Sequence, residues 1–369
     1  MSRLDELIAE LCPHGVEYRK LKDVTEMQRG TSLTKKNATE GIYPVISGGT
    51  EPAFYCDSYN RENETITVAG SGVGAGYVQY WNEPIFVCDA FSIKGKEGNL
   101  TKYIYYCLSN MQDKIFATKT GGGIPHVYIS SIENFVIPIP PLPVQQEIVR
   151  ILDNFTELTA ELTAELTAEL TARRKQYEYY RNEIMQLKHW HYRKTITEMS
   201  LGDIYDFQYG KGNVIPTNGG EYPVYGSNGI VGTHFEYNSE DAPVIGHIGA
   251  YAGIVNWGYG KHFVTYNGVI CKLKNNSVHS RYAYYLLLLQ DFRAQAKSGS
   301  QPFVSYEILK KPRVLIPPLE EQKRIVAILD RFDALCNDLT TGLPAEIEAR
   351  QKQYEYYRDK LLSFKEVKA

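Results

Sequence analysis

The chain has no CxxC pair. Its six cysteines, at positions 12, 56, 88, 107, 271 and 336, are scattered through 369 residues. That spacing fits neither a disulfide-stapled secreted scaffold nor a zinc ribbon, so reduced thiols and an intracellular setting are expected. Long apolar runs are also missing. A stretch such as Tyr282-Ala-Tyr-Tyr-Leu-Leu-Leu-Leu289 falls far short of a bilayer span. The opening Met1-Ser-Arg-Leu-Asp-Glu-Leu7 lacks the basic, apolar and small-residue order of a secretion signal. Catalytic signatures are absent as well. There is no GxxxxGK[ST], no HExxH, no Asp/Asn-Pro-Pro-Tyr/Phe of an adenine methyltransferase, and no Pro-Asp pair to begin a common nuclease motif. His189 and His191 lie two apart at an expected helix end and would not share a face, so no metal is expected. Nor is there an excess of basic charge. With 40 Lys+Arg against 43 Asp+Glu the net charge is −3, so any nucleic-acid binding has to come from a local surface. The 43% hydrophobic content is that of a globular protein, and the length suits two or three domains.

What the chain does have is itself, twice. Ile139-Pro-Pro-Leu and the residues after it to Leu158 align with Ile316-Pro-Pro-Leu to Leu335, with twelve of 20 positions identical at an offset of 177. Lys175-Gln-Tyr-Glu-Tyr-Tyr-Arg181 recurs unchanged as 352–358 at the same offset. Ahead of these blocks the echoes are weaker: Leu21-Lys-Asp-Val24 with Leu201-Gly-Asp-Ile204, Tyr43-Pro-Val45 with Tyr222-Pro-Val224, Pro125 with Pro302. The chain is a duplicated unit, a variable globular part and then a more similar segment.

The similar segments read as helices. Ile148, Ile151, Leu152, Phe155, Leu158 and Leu162 keep helical spacing, as do Ile325, Ile328, Leu329, Phe332 and Leu335. The Pro-Pro pairs mark their starts. From Val144 to Lys188 the first would run about 67 Å, too long for one small domain, so it needs a long partner, which the duplicate supplies. Inside it lies Thr159-Ala-Glu-Leu162, repeated at Thr163–Leu166 and Thr167–Leu170, built from strong helix formers without Gly or Pro. It reads either as a solvated low-complexity helix or as an adjustable spacer. Gly342-Leu-Pro344 is expected to interrupt the second helix. Tyr177, Tyr180, Tyr354 and Tyr357 fit helix or partner packing better than base stacking. Arg173 to Lys194 is a basic stretch suited to phosphate or to an acidic partner.

The variable parts are rich in Gly, Tyr, Val and Ile. Thr65–Ala69, Gly76–Tyr80, Val244–Ile248 and Gly268–Leu273 are expected strands, with helical stretches after them at Lys102–Leu108 and Arg281–Leu287. Each part is therefore α+β. Gly70-Ser-Gly-Val-Gly-Ala-Gly76 looks like a phosphate loop. A strand rather than a helix is expected after it, which favours a tight hairpin or a loop close to a ligand. Basic and polar residues gather in loops: Arg29, Lys35, Lys36 and Asn37; Lys119, Gly121, Gly122 and His126; Lys211 and Asn213; Lys297, Ser298 and Gln301. These are the residue types that meet phosphates and base edges. Each taken singly is an ordinary solvated loop residue, but the recurrence in both halves favours a DNA surface.

The whole chain resembles a specificity subunit of a type I restriction–modification enzyme. The duplicated Ile-Pro-Pro-Leu blocks, the Thr-Ala-Glu-Leu array (similar to the IC class) and the two Lys-Gln-Tyr-Glu-Tyr-Tyr-Arg blocks carry the resemblance. It implies recognition domains at 1–143 and 191–316, a central helix with its spacer at 144–190 and a distal helix at 317–369, the two helices forming an antiparallel coiled coil. It further implies that each domain reads half of a bipartite, asymmetric double-stranded DNA site and that the repeat number sets the spacer between the halves. The chain itself would be non-catalytic and bind no cofactor. Two methyltransferase subunits would bring S-adenosylmethionine, and two restriction subunits ATP and Mg, in a bacterial cytoplasmic complex for phage defence with no membrane partner. A coiled-coil scaffold without DNA readout is the alternative, and a fused enzyme a remoter one.

Overall fold

The computed structural model describes residues 2–186, 195–297, 301–337 and 342–367; Lys188, His189, His191 and Ser298 lie outside them. The chain divides into two units, Met1–Leu166 with Ile347–Ala369, and Thr167–Glu346. The division falls between the second and third Thr-Ala-Glu-Leu repeats.

Unit 1 begins with helix α1 (Arg3–Leu11), opened by a reciprocal cap in which the Ser2 hydroxyl accepts the Asp5 amide and the Asp5 carboxylate accepts the Ser2 amide. Next come β1 (Glu17–Lys20), α2 (Leu21–Val24), β2 (Thr25–Arg29), β3 (Tyr43–Ile46), β4 (Phe54–Cys56), β5 (Thr65–Ala69), β6 (Val78–Trp81), β7 (Phe86–Val87), β8 (Ala90–Gly95), α3 (Thr101–Asn110), α4 (Gln112–Phe116), α5 (Ile129–Ile132), β9 (Val136–Ile139) and the long helix α6 (Leu142–Met185). β1 pairs antiparallel with β9, a four-stranded sheet has the order β2-β8-β5-β6, and a three-stranded sheet has the order β4-β3-β7. The strand expected at Thr65–Ala69 is β5, and the glycine loop after it leads into β6, so no helix follows that loop directly.

Unit 2 repeats the plan with β10 (Thr197–Ser200), α7 (Leu201–Ile204), β11 (Tyr205–Tyr209), β12 (Tyr222–Gly226), β13 (Gly229–His234), β14 (Ser239–Gly246), β15 (Val255–Val264), β16 (Gly268–Leu273), α8 (Ser280–Leu288), α9 (Phe292–Gln295), α10 (Tyr306–Lys310), β17 (Arg313–Ile316), α11 (Leu319–Asn337) and α12 (Leu343–Leu361), the last belonging mostly to unit 1. Here β10 pairs with β17 as β1 does with β9, and one sheet of six strands, β11-β16-β14-β15-β12-β13, replaces the four- and three-stranded sheets of unit 1. The cause is local. β15 is continuous where its counterpart is broken into β6 and β7. Pro84 stands in that break and cannot donate to a ladder, whereas Lys261 at the matching place in β15 pairs with Glu240. The interruption expected at Gly342-Leu-Pro344 separates α11 from α12.

The duplicated motif is an anchoring device. The fully buried Gln145 accepts the Leu100 amide at 2.9 Å, at the start of α3, and donates to the Pro140 carbonyl at 2.8 Å. Gln322 repeats this in unit 2, accepting the His279 amide at 2.7 Å ahead of α8 and donating to the Pro317 carbonyl at 2.8 Å. One buried amide thus supplies an orphan N–H at a helix start and fixes the Pro-Pro corner. About two turns later, Asp153 accepts from Lys102 and Tyr106 of α3, and Asp330 from Arg281 and Tyr285 of α8. Ile148, Leu152, Ile325 and Leu329 are buried beside these anchors, as the periodicity requires.

Farther along, the stripe turns outward. Phe155 is only half-covered, stacking 5.8 Å from Tyr357, and Thr156 meets the Tyr354 hydroxyl at 3.0 Å. Leu158 and its counterpart Leu335 are exposed, against the expectation from their spacing, because the helices have by then run past α3 and α8, to which their earlier turns are anchored. In unit 2 Tyr177 is buried and Tyr180 lies 6.5 Å from Phe332 of α11. Within the array Leu166 is buried, Thr159, Leu162, Thr163 and Leu170 are half-buried, and Thr167 is exposed. The array therefore has a covered face and is more than a solvated rod.

His262 of β15 is fully buried, with Nδ1 2.8 Å from the Gly260 carbonyl and its ring 5.1 Å from Tyr225. Burial lowers its pKa below the usual 6.5. The unfolded chain takes up a proton near pH 6.5 that the folded chain resists, so stability is full above that pH and is lost as pH falls toward the folded pKa. Melting of the full chain should weaken from pH 7 to pH 5, and His262→Phe should flatten that slope. An unchanged slope in the variant would assign the effect elsewhere.

Candidate nucleic-acid interface

In unit 1, β2 ends at Arg29, paired with Phe91 of β8. Gly30 comes next, against the β7–β8 turn, where a Cβ would come within 2.1 Å of the Cys88 carbonyl oxygen, so only glycine fits. The Arg29 guanidinium lies 5.8 Å over the Tyr128 ring, and His126 stacks on the same ring at 5.9 Å. Arg29, His126, Tyr128, Gly70 and Asp89 line one open cleft of about 410 Å³. The Asp89 carboxylate accepts the Ser71 hydroxyl.

Two glycine loops are stitched together beside this cleft. The Gly72 amide donates to the Pro125 carbonyl and the Val127 amide to the Gly70 carbonyl, each at 3.0 Å, while Thr120 and His126 exchange backbone bonds across a hairpin. At its tip Gly121 has φ +102 and needs to be glycine. Gly122 and Gly123 have nothing within 4 Å of a built Cβ, so their own fold does not demand glycine there. Bare backbone at an open tip suits close approach by another molecule. Lys119 leans over Phe116 at 4.1 Å, while Lys35, Lys36 and Asn37 are exposed on the β2–β3 loop, apart from the cleft lining.

Unit 2 builds the same place differently. β11 ends at Tyr209, again with a glycine after it that a Cβ would drive into a backbone carbonyl, Gly210 against Thr265 at 2.1 Å. The Tyr209 ring lies 4.2 Å from Tyr306, 4.3 Å from His247 and 5.8 Å from Tyr266, an aromatic box where unit 1 has an arginine and a carboxylate. Lys211 and Asn213 are exposed just after Gly210. Lys297 forms an antiparallel bridge with Phe303, its amine 5.7 Å from that ring, and Gln301 is exposed. Among the described residues no cluster of His, Cys, Asp or Glu could hold a metal, and no helix is long and apolar enough to cross a membrane.

The model of the type I restriction modification DNA specificity domain matches this chain twice, at residues 13–172 and 193–349. The chain belongs to this family. The specificity subunit of the Escherichia coli type I restriction enzyme EcoR124I/EcoR124II is 33% identical, with 99% of this chain and 97% of that protein covered. The MpnII specificity subunit of Mycoplasma pneumoniae is 29% identical over 65% of this chain and 92% of its own length. Among solved structures, a chain from work on assembly and conformational transition of a type I system superposes with a TM-score of 0.63 at 15% identity, covering 94% of this chain and 97% of that one. The specificity subunit of M. genitalium gives 0.52 at 22% identity, covering 94% and 96%. These two show a shared fold.

Sequence reasoning on this specificity subunit missed the best-placed side chains. Asp89 and Tyr128 carry no local pattern; the β2–β8 ladder and the hairpin bring them beside Arg29 across sixty to a hundred residues. The aromatic box of Tyr209, His247, Tyr266 and Tyr306 was hidden among 29 tyrosines. Gln145, Asp153 and their twins did have a signal, since each is identical in both copies of the repeat.

Proposed function

We propose that this specificity subunit reads a bipartite, asymmetric DNA site, one half-site per unit, without catalysing a reaction itself. The carrying observation is that one scaffold occurs twice and presents different side chains at one matching place: Arg29, Asp89, His126 and Tyr128 in unit 1, Tyr209, His247, Tyr266 and Tyr306 in unit 2. A repeated scaffold with different reading heads is what two unlike half-sites require. The partners are two methyltransferase subunits carrying S-adenosylmethionine and, in the full complex, two restriction subunits using ATP and Mg. Twin exposed residues on the helices, Leu158 with Leu335 and Tyr179 with Tyr356, support two copies of one docking partner. The open glycines at 122 and 123 weigh against a scaffold without DNA readout.

Mapping N6-methyladenine in cells carrying this chain with its methyltransferase partner, against cells lacking the chain, should return a split motif that disappears with the chain. Lys297→Ala or Gln301→Ala should weaken recognition of one half-site only, by about tenfold for a lost direct contact. Equal loss at both halves would contradict one half-site per unit.

A further inference from the structure

The unit 1 cleft holds two opposite charges that do not neutralise each other. Arg29 and Asp89 both line it, yet among the described residues neither takes part in an ion pair. Each is instead held by a group that leaves its polar face available. Tyr128 supports the guanidinium through its ring, and the Arg29 carbonyl is pinned at 3.0 Å by Arg61, so the side chain springs from a fixed backbone. Ser71 occupies one oxygen of Asp89 and leaves the other for a donor. The cleft therefore offers a fork of N–H donors and a carboxylate acceptor, beside a glycine tip that adds no bulk.

That pattern has a natural complement. In the major groove a G·C pair shows the N7 and O6 acceptors of guanine and then the N4 amino donor of cytosine, an order no other base pair presents. An arginine fork fits the two acceptors together. A phosphate is a poor match, because the Asp89 carboxylate would repel it. We propose that this cleft reads one G·C pair of the unit 1 half-site, with Arg29 on guanine and Asp89 on cytosine, while Tyr128 and Ser71 act as positioning residues. The inference rests on the reading of one half-site per unit. It does not extend to unit 2, whose Tyr209 box has neither charge at the matching place.

The test is methylation mapping of the full complex in cells. The wild-type motif should contain a G·C pair in the half-site that Lys297→Ala and Gln301→Ala leave unchanged. Arg29→Ala should make that single position degenerate, with the preference for G·C falling by about tenfold or more. Every other position should stay intact. Arg29→Lys keeps the charge but loses the fork, and should fail to restore the preference. Asp89→Asn should blur the same position, and Tyr128→Ala should do so where Tyr128→Phe does not. Arg29 is exposed, so its variants should melt like the wild type. A uniform loss of methylation that Arg29→Lys restores would make Arg29 a phosphate contact and overturn the proposal. An unchanged motif in Arg29→Ala would overturn it too, with the split motif, and so the half-site reading, still standing. If the wild-type chain produces no split motif, the half-site reading itself falls.

Discussion

Deleting one Thr-Ala-Glu-Leu unit, residues 163–166, is expected to abolish methylation at the native motif and to create methylation at a motif with the same half-sites and a spacer about one base pair shorter. Four residues of α-helix amount to about 6 Å and, beyond one full turn, about 40°. A base pair turns DNA by about 34–36°, so the angular step nearly matches, while the axial step exceeds the roughly 3.4 Å of DNA and has to be absorbed by tilt. The array is suited to the change. Its covered face is made of Thr159, Leu162, Thr163, Leu166 and Leu170, its exposed face carries Glu161, Glu165 and Glu169, and the division between the two units falls inside it. Removing a whole unit slides an identical Thr-Ala-Glu-Leu into the same face, so the packing survives. Removing two residues instead rotates the C-terminal remainder of the helix by about 200° and turns glutamates toward the covered side; that variant should methylate neither motif. Methylation mapping of both deletions decides the matter. Persistence of the native spacing after the four-residue deletion would refute the ruler reading and leave the array a passive linker.

The repeat array behind the ruler reading was open to the sequence because repetition and helical periodicity are visible in one dimension. The twelve matched positions of the duplicated block disclosed the twofold plan, and Gly342-Leu-Pro344 disclosed the break between α11 and α12. Strands β5 and β16 were likewise legible from short β-branched runs bounded by turns. Strand pairing was not. Nothing local in Pro84 against Lys261 announces that the four- and three-stranded sheets of one unit are a single six-stranded sheet in the other, because the consequence depends on which strand each residue faces. The same limit applies to the cleft. Arg29 could be nominated from its residue type, but Asp89 becomes meaningful only once β8 lies beside β2. Apolar periodicity also directed attention to Ile148 and Leu152 and away from Gln145 and Asp153, the polar members of the same turns, which do the anchoring.

Among those anchors the largest stability effect is expected from Asp330→Ala. The Arg281 guanidinium has a side chain only 16% exposed and donates to one Asp330 oxygen at 3.1 Å and 2.7 Å, with the Tyr285 hydroxyl donating to the same atom. Its cation lies 4.7 Å from the Trp257 ring and 4.9 Å from that of Tyr284. Burial works against this charge, but the hydrogen bonds and the negative charge of Asp330 outweigh it and hold the pKa above the ordinary arginine value. Arg281 therefore stays charged at any working pH, and without Asp330 its remaining carboxylate among the described residues is Asp333, 3.6 Å away. Stranding a largely buried cation costs about 3–5 kcal/mol. Since Asp330 is itself 39% exposed, solvent screens part of this, and a loss of about 2–3 kcal/mol is expected. Asp153→Ala in unit 1 should cost less, about 1–2 kcal/mol, since it loses hydrogen bonds without trapping a charge. Its Lys102 is 29% exposed and its flexible stem can carry the amine into water. Denaturant unfolding of both full-length variants would test the order. Equal losses would show that the two units hold their helices equally well by other contacts, and that the buried arginine is relieved by movement when its carboxylate is removed.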